Sequence, residues 1–326
     1  MADLERYVRL IEPLDGLKLR RPVALLGFGG WIDAGFAATG AVRYLVDHLP
    51  TRRIAELDPE PFYSFTDTRP RVRNRDGFRE PEWPRAEWYV AHLPEEAEHD
   101  LVLFTAPEPN LRWQTFTSVM LDLLAALGVE TMASLGAVLA PVHHRARVSL
   151  RGRGTTDQLR SELRRRHISS GSYQGPTGIT TVVLLAAQER GLGGLSLSAS
   201  SPSYLANVPN PRTSVALLRA FAEICRVPLP LGRLDRDARA LMEQVDQSIE
   251  SQPELREAVE RLAQEEAEPP PLEPDENLEL APDEPESESE LAEPPPELPS
   301  SAAVLRDLED FLRDLRQQNG GPPPDN

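Results

Sequence analysis

The sequence predicts an α/β fold in which helices cover both faces of a mainly parallel β-sheet. Two observations favour this class: short apolar runs alternate with stretches of helical spacing, and glycines follow several of the runs. Residues 1–264 hold 33 acidic and 32 basic side chains, and this near-neutral part of the chain is long enough for one substantial core. In such a sheet, binding loops collect at the carboxyl ends of the strands.

The pattern of apolar residues predicts the elements one after another along the chain. In order, they are strand 23–28, helix 34–48, strands 56–65, 88–93 and 100–106, helix 116–127, strand 129–137, helices 155–166 and 177–190, strand 194–200 and helix 211–225. The polar, Arg- and Pro-rich stretch 66–84 is too polar for the core. It is either a flexible loop or a functional lid.

The chain is expected to have four parts. They are an α/β body at 1–232, accessory helices at 233–267, a disordered acidic Pro-rich linker at 268–300 and a C-terminal amphipathic helix with a tail at 301–326. The net charge is −17, and residues 265–300 hold 14 acidic side chains and no basic one, a composition that cannot bury enough apolar surface to fold. The short terminal helix needs a docking site on its own body or on a partner.

The charge distribution excludes two classes of partner, and the cysteine content indicates the cellular compartment. A near-neutral body with a polyanionic segment is repelled by nucleic acid and by anionic lipid, so we expect neither as a partner. No run approaches the ~18 apolar residues of a membrane span. The single cysteine, Cys225, cannot form an internal disulfide and is expected to be a small core residue. We therefore expect a cytoplasmic protein.

The most distinctive segment is GFGGWIDAGFAATGA, which follows the first predicted strand. Gly29 and Gly30 let the backbone approach a ligand closely, and the following helix start offers unpaired N–H groups. The segment is not a dinucleotide fingerprint, because Ile32 replaces the third glycine, and it lacks the Lys-Ser/Thr pair of a P-loop. Trp31 and Asp33 either contribute to a site or serve the core and the helix cap, respectively.

Further polar residues follow other predicted strands. Glu108 and Arg112 could bind a polar ligand, but we favour an ion pair between them. His143 and His144 are adjacent in a segment expected to be extended, so they would not bind one metal together, and no metal or other cofactor is expected. Tyr173 precedes the predicted helix 177–190 and could contact a molecule bound over its start. No nucleophile elbow or other complete catalytic constellation is present, so no catalytic residue is assigned.

The motifs, taken in order, resemble one known family. GFGGWIDAG, FTDTRPRVR, DLVLFTAPEPNLRW, SLGAVLAPVHHRARV, SYQGPTGI and SPSYLANVPNPRTSVALL together resemble the proteasome assembly chaperone 2 family in its actinobacterial branch. The resemblance implies a three-layer α/β/α sandwich similar to the nucleoside phosphorylase and peptidyl-tRNA hydrolase type. It also implies oligomerisation, with binding of proteasome subunits by archaeal and eukaryotic relatives, and no established catalytic activity.

The resemblance also implies a set of ligand- or partner-binding positions at the strand ends. They are Gly29, Gly30, Trp31, Asp33, Arg69, Glu108, Arg112, Trp113, His143, Gly175, Pro176, Thr177 and Gly178. This chain departs from the family pattern in the segment around His143 and at Ser203–Tyr204, where a His-Tyr pair is usual. It ends in GGPPPDN and lacks the terminal tyrosine motif by which some relatives dock.

Two functional hypotheses follow from these observations. The first is a non-catalytic, homo-oligomeric protein of assembly-chaperone type that binds proteasome subunits or another protein partner. The alternative is a small-molecule-binding protein, or an uncharacterised hydrolase or transferase with a phosphorylase-like fold. The geometry of the strand-end residues discriminates between them: they either line one pocket or are engaged in internal contacts.

Overall fold

The computed structural model describes residues 2–75, 77–171, 174–252, 256–257, 259 and 261. The chain divides into two compact units, Met1–Ser248 and Ile249–Asn326. In the second unit, the described residues from 256 onward are helical. The expected linker at 268–300, the expected terminal helix at 301–326 and Tyr173 lie outside the described residues.

The first unit is built around an eight-stranded sheet in the order β1-β3-β6-β7-β2-β8-β10-β9, and β4 pairs with β5 in a separate hairpin. The strands are β1 Val8–Leu10, β2 Val23–Gly29, β3 Thr51–Leu57, β4 Arg71–Arg75, β5 Phe78–Glu82, β6 Ala86–Ala91, β7 Leu101–Pro107, β8 Thr131–Ala140, β9 Leu150–Gly154 and β10 Gly193–Pro202. The helices are α1 Ala2–Tyr7, α2 Ala37–His48, α3 Trp113–Ala126, α4 Asp157–Arg165, α5 Ile179–Glu189, α6 Pro211–Cys225 and α7 Gly232–Glu250.

The sheet is parallel at its centre and antiparallel at both sides. β7, β2, β8 and β10 run parallel to one another, while β1, β3, β6 and β9 join through antiparallel pairs. The expected parallel arrangement therefore holds for the four central strands and not for the outer ones. β6 reaches β7 through a loop without a helix, and a connection of that kind suits an antiparallel pair.

Helices cover both faces of the sheet, which confirms the three-layer α/β/α sandwich. Residues of α1, α3 and α5 share one apolar core, and residues of α2, α4 and α6 share the other. Alternate residues of β2 point to opposite cores: Leu26 and Phe28 pack in the core of α1, α3 and α5, and Leu25 packs in the core of α2, α4 and α6. Gly27 lets α2 approach β2 closely, because a Cβ there would lie 2.8 Å from the main-chain oxygen of Ala38.

A buried carboxylate holds the amino-terminal edge of the central strands. Asp100, directly before β7, is fully buried and accepts hydrogen bonds from the main-chain N–H groups of Arg20 (2.9 Å) and Leu93 (3.0 Å). The Arg20 guanidinium lies 2.8 Å from Oδ1 of Asp100, the oxygen that also accepts from Leu93. These contacts outweigh burial and lower the pKa of Asp100 to about 2.

The polar stretch at 66–84 contains the hairpin of β4 and β5. Neither strand has a buried residue, and Val72 and Phe78 are among the exposed large apolar side chains. At the base of the hairpin, the ring of Trp83 packs on that of Phe65 with 4.7 Å between centroids. The stretch therefore has strands of its own, unlike the flexible loop considered from the sequence.

Candidate functional site at the carboxyl edge of the sheet

Asp33 fastens the loop after β2 to the start of α2. Its Oδ1 accepts hydrogen bonds from the main-chain N–H groups of Ala38 (2.7 Å) and Thr39 (3.2 Å), and its Oδ2 accepts one from the Thr39 hydroxyl (2.5 Å). Burial raises the pKa of Asp33 above its ordinary value, although these hydrogen bonds oppose the rise. Of the two interpretations drawn from the sequence, helix capping is the one that the geometry supports.

Glu108 joins the loop after β7 to the start of α5. Its main-chain N–H donates to the oxygen of Gly29 at 2.5 Å, and its Oε1 accepts from the N–H of Ile179 at 2.7 Å. A carboxylate is favourable at this position because helix N-termini carry partial positive charge. Gly30 and Gly178 make room for it, since a Cβ at either would lie 3.0–3.1 Å from Glu108.

The loops after β2 and β7 meet strand β8 and the start of α5 at one edge. The oxygen of Ile32 accepts a hydrogen bond from the N–H of Ala137 at 2.7 Å, which extends the sheet beyond the end of β2. A Cβ at Gly178 would lie 3.4 Å from the Ile32 side chain, so the same residue also reaches the start of α5. The structure thus brings together Gly29, Gly30, Asp33, Glu108 and Gly178, five of the predicted positions.

The expected ion pair between Glu108 and Arg112 is absent from the described residues. The Glu108 carboxylate turns toward α5, and the exposed Arg112 has a left-handed backbone with φ of 53° at the start of α3. Trp113 is half-buried, and its indole N–H donates to the oxygen of Pro109 at 2.6 Å. The pair was the wrong prediction because the unpaired N–H groups of α5 compete for the same carboxylate.

Large apolar side chains are exposed along this edge. They come from the loop after β2, the loop after β7 and the end of β8, and we call them the apolar rim: Trp31, Phe36, Leu111, Val138 and Leu139. Trp31 is 63% exposed, so it is not a core residue. Of the eleven exposed large apolar residues in the described chain, five belong to the rim.

Arg69 lies beside the same edge. Thr68, its neighbour in the chain, donates from its hydroxyl to the Asn110 side chain at 3.0 Å, and the main-chain N–H groups of Asn110 and Leu111 both donate to the oxygen of Phe62. These hydrogen bonds tie the segment before the hairpin to the loop after β7. Arg69 itself is exposed.

The segment before α5 is open to solvent. Gly175, Pro176 and Thr177 are exposed, and Gly175 has a φ of 151°. Gly178 is buried and serves as the N-cap residue of α5 without a side chain of its own. The Gly-Pro pair therefore precedes a helix whose first N–H group is capped by Glu108.

His143 belongs to a different neighbourhood from Asp33 and Glu108. Its ring is tilted by 32° against that of His144 with 4.2 Å between centroids, and both residues lie in the irregular segment after β8. The expectation that these two side chains point to opposite faces was wrong, because the segment is not extended. His143 lines a small cavity together with Asn210 and Thr213, at the start of α6.

His144 is at the centre of a polar network that the sequence did not reveal. Its Nδ1 lies 2.9 Å from the Tyr204 hydroxyl, and its Nε2 lies 2.7 Å from Oδ1 of Asp246 in α7. Arg145 forms an ion pair with the same carboxylate, and the pKa of Asp246 falls to about 2 because of hydrogen bonds from Arg145 and His144. Burial lowers the pKa of His144. The two departures from the family pattern, around His143 and at Ser203–Tyr204, were the sequence signals that pointed here.

The described residues offer little support for a reactive centre. Cys225 is buried, and burial raises the pKa of its thiol to about 12, which removes the thiolate needed for nucleophilic attack. Across the described part of the chain, no group of three His, Cys, Asp or Glu side chains is placed to hold a metal ion. None of its helices combines the length and apolarity of a membrane span.

Comparisons with known proteins place the chain in a family. The family model described as PAC2 matches residues 27–249. A PAC2 family protein from Streptomyces avermitilis is 36% identical over 73% of this chain and 99% of its own, with a TM-score of 0.66. A Mycobacterium tuberculosis protein described as a proteasome-assembly chaperone homologue is 33% identical over 73% of this chain and 99% of its own, with a TM-score of 0.65.

More distant structures share the fold. The archaeal proteasome activator PbaB of Pyrococcus furiosus is 19% identical over 74% of this chain and 97% of its own, with a TM-score of 0.58. No curated protein matches the chain. The family match covers more than half of the sequence and confirms the resemblance stated from the motifs, so the chain belongs to the PAC2 family, the proteasome assembly chaperone family.

Proposed function

We propose that this protein is a non-catalytic assembly chaperone that binds proteasome subunits through the apolar rim. One observation carries the proposal. At the carboxyl edge, where an α/β enzyme keeps polar groups for its substrate, Asp33 and Glu108 accept hydrogen bonds from main-chain N–H groups, while five large apolar side chains remain exposed. Exposed apolar and aromatic groups of this kind mark protein interaction sites.

The comparisons supply the candidate partner. The Mycobacterium tuberculosis relative, at 33% identity, is described as a proteasome-assembly chaperone homologue. A proteasome subunit that is not yet assembled exposes the apolar surface of its future interfaces, and the apolar rim is suited to cover such a surface. The alternative of a small-molecule enzyme has less support, because the two carboxylates that would act in a cleft already serve helix starts.

A binding measurement tests the proposal. Full-length protein is titrated against purified proteasome α-type and β-type subunits from the same organism, and Trp31→Ala is compared with Leu185→Ala. Both side chains are exposed, at 63% and 49%, but Leu185 lies on α5, outside the rim. Trp31→Ala should weaken binding by about tenfold or more, since an aromatic anchor at the centre of an interface contributes about 2 kcal/mol or more.

Two outcomes would contradict this function. Wild-type protein that binds neither type of subunit removes the proposed partner. Equal binding by wild type and Trp31→Ala removes the proposed surface. Thermal unfolding of both variants serves as the control for folding, and we expect it to match wild type because neither side chain is buried.

We further propose that the protein is a cytoplasmic homo-oligomer in which the hairpin of β4 and β5 contributes to the contact between copies. A two-stranded hairpin is marginally stable alone, and Val72 and Phe78 leave its apolar surface exposed at 60% and 73%. Closed symmetric assemblies are the commonest oligomers of soluble proteins. Native mass spectrometry should show an assembly that Phe78→Ser weakens, and a wild-type monomer would contradict this part.

A further inference from the structure

A groove runs between α6, α7, the segment that leads into β9 and the segment that follows α4. Its volume is about 1110 Å³. Val148 and Leu150 form one apolar part of its wall, and Val215, Ala220 and Met242 contribute from the two helices. The groove shares no residue with the apolar rim, which lies at the ends of β2, β7 and β8.

Arginine is the commonest charged residue of this groove. Six arginines and three carboxylates line it: Arg145, Arg147, Arg166, Arg212, Arg219 and Arg239, with Glu223, Asp235 and Glu243. Ion pairs already use two of the carboxylates, because Glu223 lies 3.3 Å from Arg166 and Asp235 lies 2.5 Å from Arg219. The remaining guanidinium groups therefore leave the groove with an excess of positive charge.

Three arginines of the groove have no carboxylate partner within the described chain. Arg147 and Arg239 are exposed and take part in no ion pair there. Arg212 is half-buried and donates to the main-chain oxygens of His144 and Arg145, the latter at 3.1 Å. These two hydrogen bonds fix the direction of its side chain without neutralising its charge.

The surroundings of Arg212 are unfavourable for a cation. Burial, together with the nearby charge of Arg145, lowers the pKa of Arg212. A partly desolvated charge without a counter-ion costs free energy, and an anion placed against it would recover that cost. Guanidinium groups bind carboxylates through two parallel hydrogen bonds, so the groove is suited to anionic groups.

We propose that this groove binds an acidic segment of a partner polypeptide that carries apolar side chains between its carboxylates. The carboxylates pair with Arg147, Arg212 and Arg239, and the apolar side chains contact Val148 and Leu150. Arginine clusters are a recurring device for the recognition of acidic motifs.

This inference does not depend on the proteasome-related role. It concerns a second surface, which would bind an acidic segment whether or not the apolar rim binds proteasome subunits. The two proposals fail separately, since Trp31→Ala leaves the groove intact and the arginine variants leave the rim intact.

Fluorescence anisotropy with a labelled peptide that alternates glutamate and leucine tests the groove on the full-length protein. The double variant Arg147→Ala/Arg239→Ala is the main test, because both side chains are exposed and their loss should not affect folding. Arg212→Met is the second test, with thermal unfolding as its control. Each should weaken binding by about tenfold or more, as expected for a lost charged hydrogen bond. Arg43→Ala, at an exposed position on α2 outside the groove, is the matched control and should bind as wild type.

Two further binding measurements identify the chemical class of the ligand. The same peptide with glutamine in place of glutamate should not bind, and added tripolyphosphate should compete only weakly. The proposal is overturned if the glutamate peptide does not bind, if the double variant binds it as wild type, or if the glutamine peptide binds equally. Stronger binding of tripolyphosphate than of the peptide would also overturn it, in favour of a small polyanion.

Discussion

Two buried carboxylates at opposite edges of the same parallel strands are held in different ways. At the amino-terminal edge, Asp100 is paired with Arg20 and its pKa falls to about 2. At the carboxyl-terminal edge, Asp33 accepts only neutral hydrogen bonds and its pKa rises. The amino edge is therefore closed by charge, whereas the carboxyl edge is closed by helix caps and keeps apolar side chains exposed.

The largest expected effect is on the amino edge. Asp100→Asn should lower the free energy of unfolding by about 3 kcal/mol, the low end for a broken buried ion pair, because Arg20 is itself partly exposed. Chemical denaturation measures the change. Arg9→Ala, which removes an exposed pair with Glu56, is the control and should cost less than about 1 kcal/mol. Equal costs for the two variants would contradict the account of Asp100.

The next effect concerns the loop that holds the carboxyl edge in place. Gly35 has a φ of 61°, and a Cβ there would lie 2.9 Å from the Cβ of Asn210. Gly35→Ala should therefore lower the free energy of unfolding by about 2 kcal/mol, because backbone strain and crowding add to one another. Gly128→Ala is the matched control, because its φ is 73° and no atom lies within 4 Å of the added Cβ. It should cost only about 1 kcal/mol.

The pH dependence of stability should differ in sign between the two carboxylates. The folded-state pKa of Asp100 is depressed, so its contribution is present above about pH 4 and is lost as the pH falls toward 2. The folded-state pKa of Asp33 is raised, so ionisation of its carboxyl group disfavours the folded state. Its contribution to the free energy of unfolding is therefore greatest at low pH, where the group is protonated.

Denaturation of wild type, Asp100→Asn and Asp33→Asn from pH 6 downward measures this difference. The gap between wild type and Asp100→Asn should close as the pH falls, whereas the gap between wild type and Asp33→Asn should widen, from a starting cost of about 1 kcal/mol for the weakened cap. Parallel curves for the two variants would show that the carboxylates are not held differently.

The smallest effect is expected at His144, which joins the loop after β8 to α7. Burial keeps its ring neutral and depresses its folded-state pKa, so its contribution is present above the unfolded pKa of about 6.5 and is lost as the pH falls. His144→Gln should cost about 1 kcal/mol at pH 8 and should flatten the loss of stability between pH 7 and 5. A wild-type curve that is already flat in this range would contradict the assignment.

The sequence predicted elements best where their signals were local. α6 was expected at 211–225 and has those bounds, because Pro211 occupies its first turn and Asn210 accepts from the N–H of Thr213. β9 was missed, since LRGRG has no apolar run. It forms because Gly152 and Gly154 leave room for Leu163 and Leu159 of α4. β3 lies at Thr51–Leu57 rather than 56–65, and its arginines pair with Glu12 and Glu87 from elsewhere in the chain.

The sequence predicted the edge at which five of the expected positions meet, but it predicted neither the use of their side chains nor four of the five residues of the apolar rim. Glycines and acidic residues after strands identified the edge, because carboxyl ends of parallel strands meet there. The roles of Asp33 and Glu108 depend on which N–H groups compete for their oxygens, and the partner of Glu108 is 71 residues away in the chain. His144 and Asp246 are 102 residues apart, so no spacing rule could have joined them.

Hydrogen–deuterium exchange with and without proteasome subunits locates the bound partner on the chain. We expect binding to slow exchange in the loop Gly30–Phe36, around Leu111 and at the end of β8, the three segments that carry the apolar rim. The amide of Leu185 and its neighbours in α5 should exchange as before. Protection elsewhere with none in these three segments would contradict the claim that the carboxyl edge binds the partner.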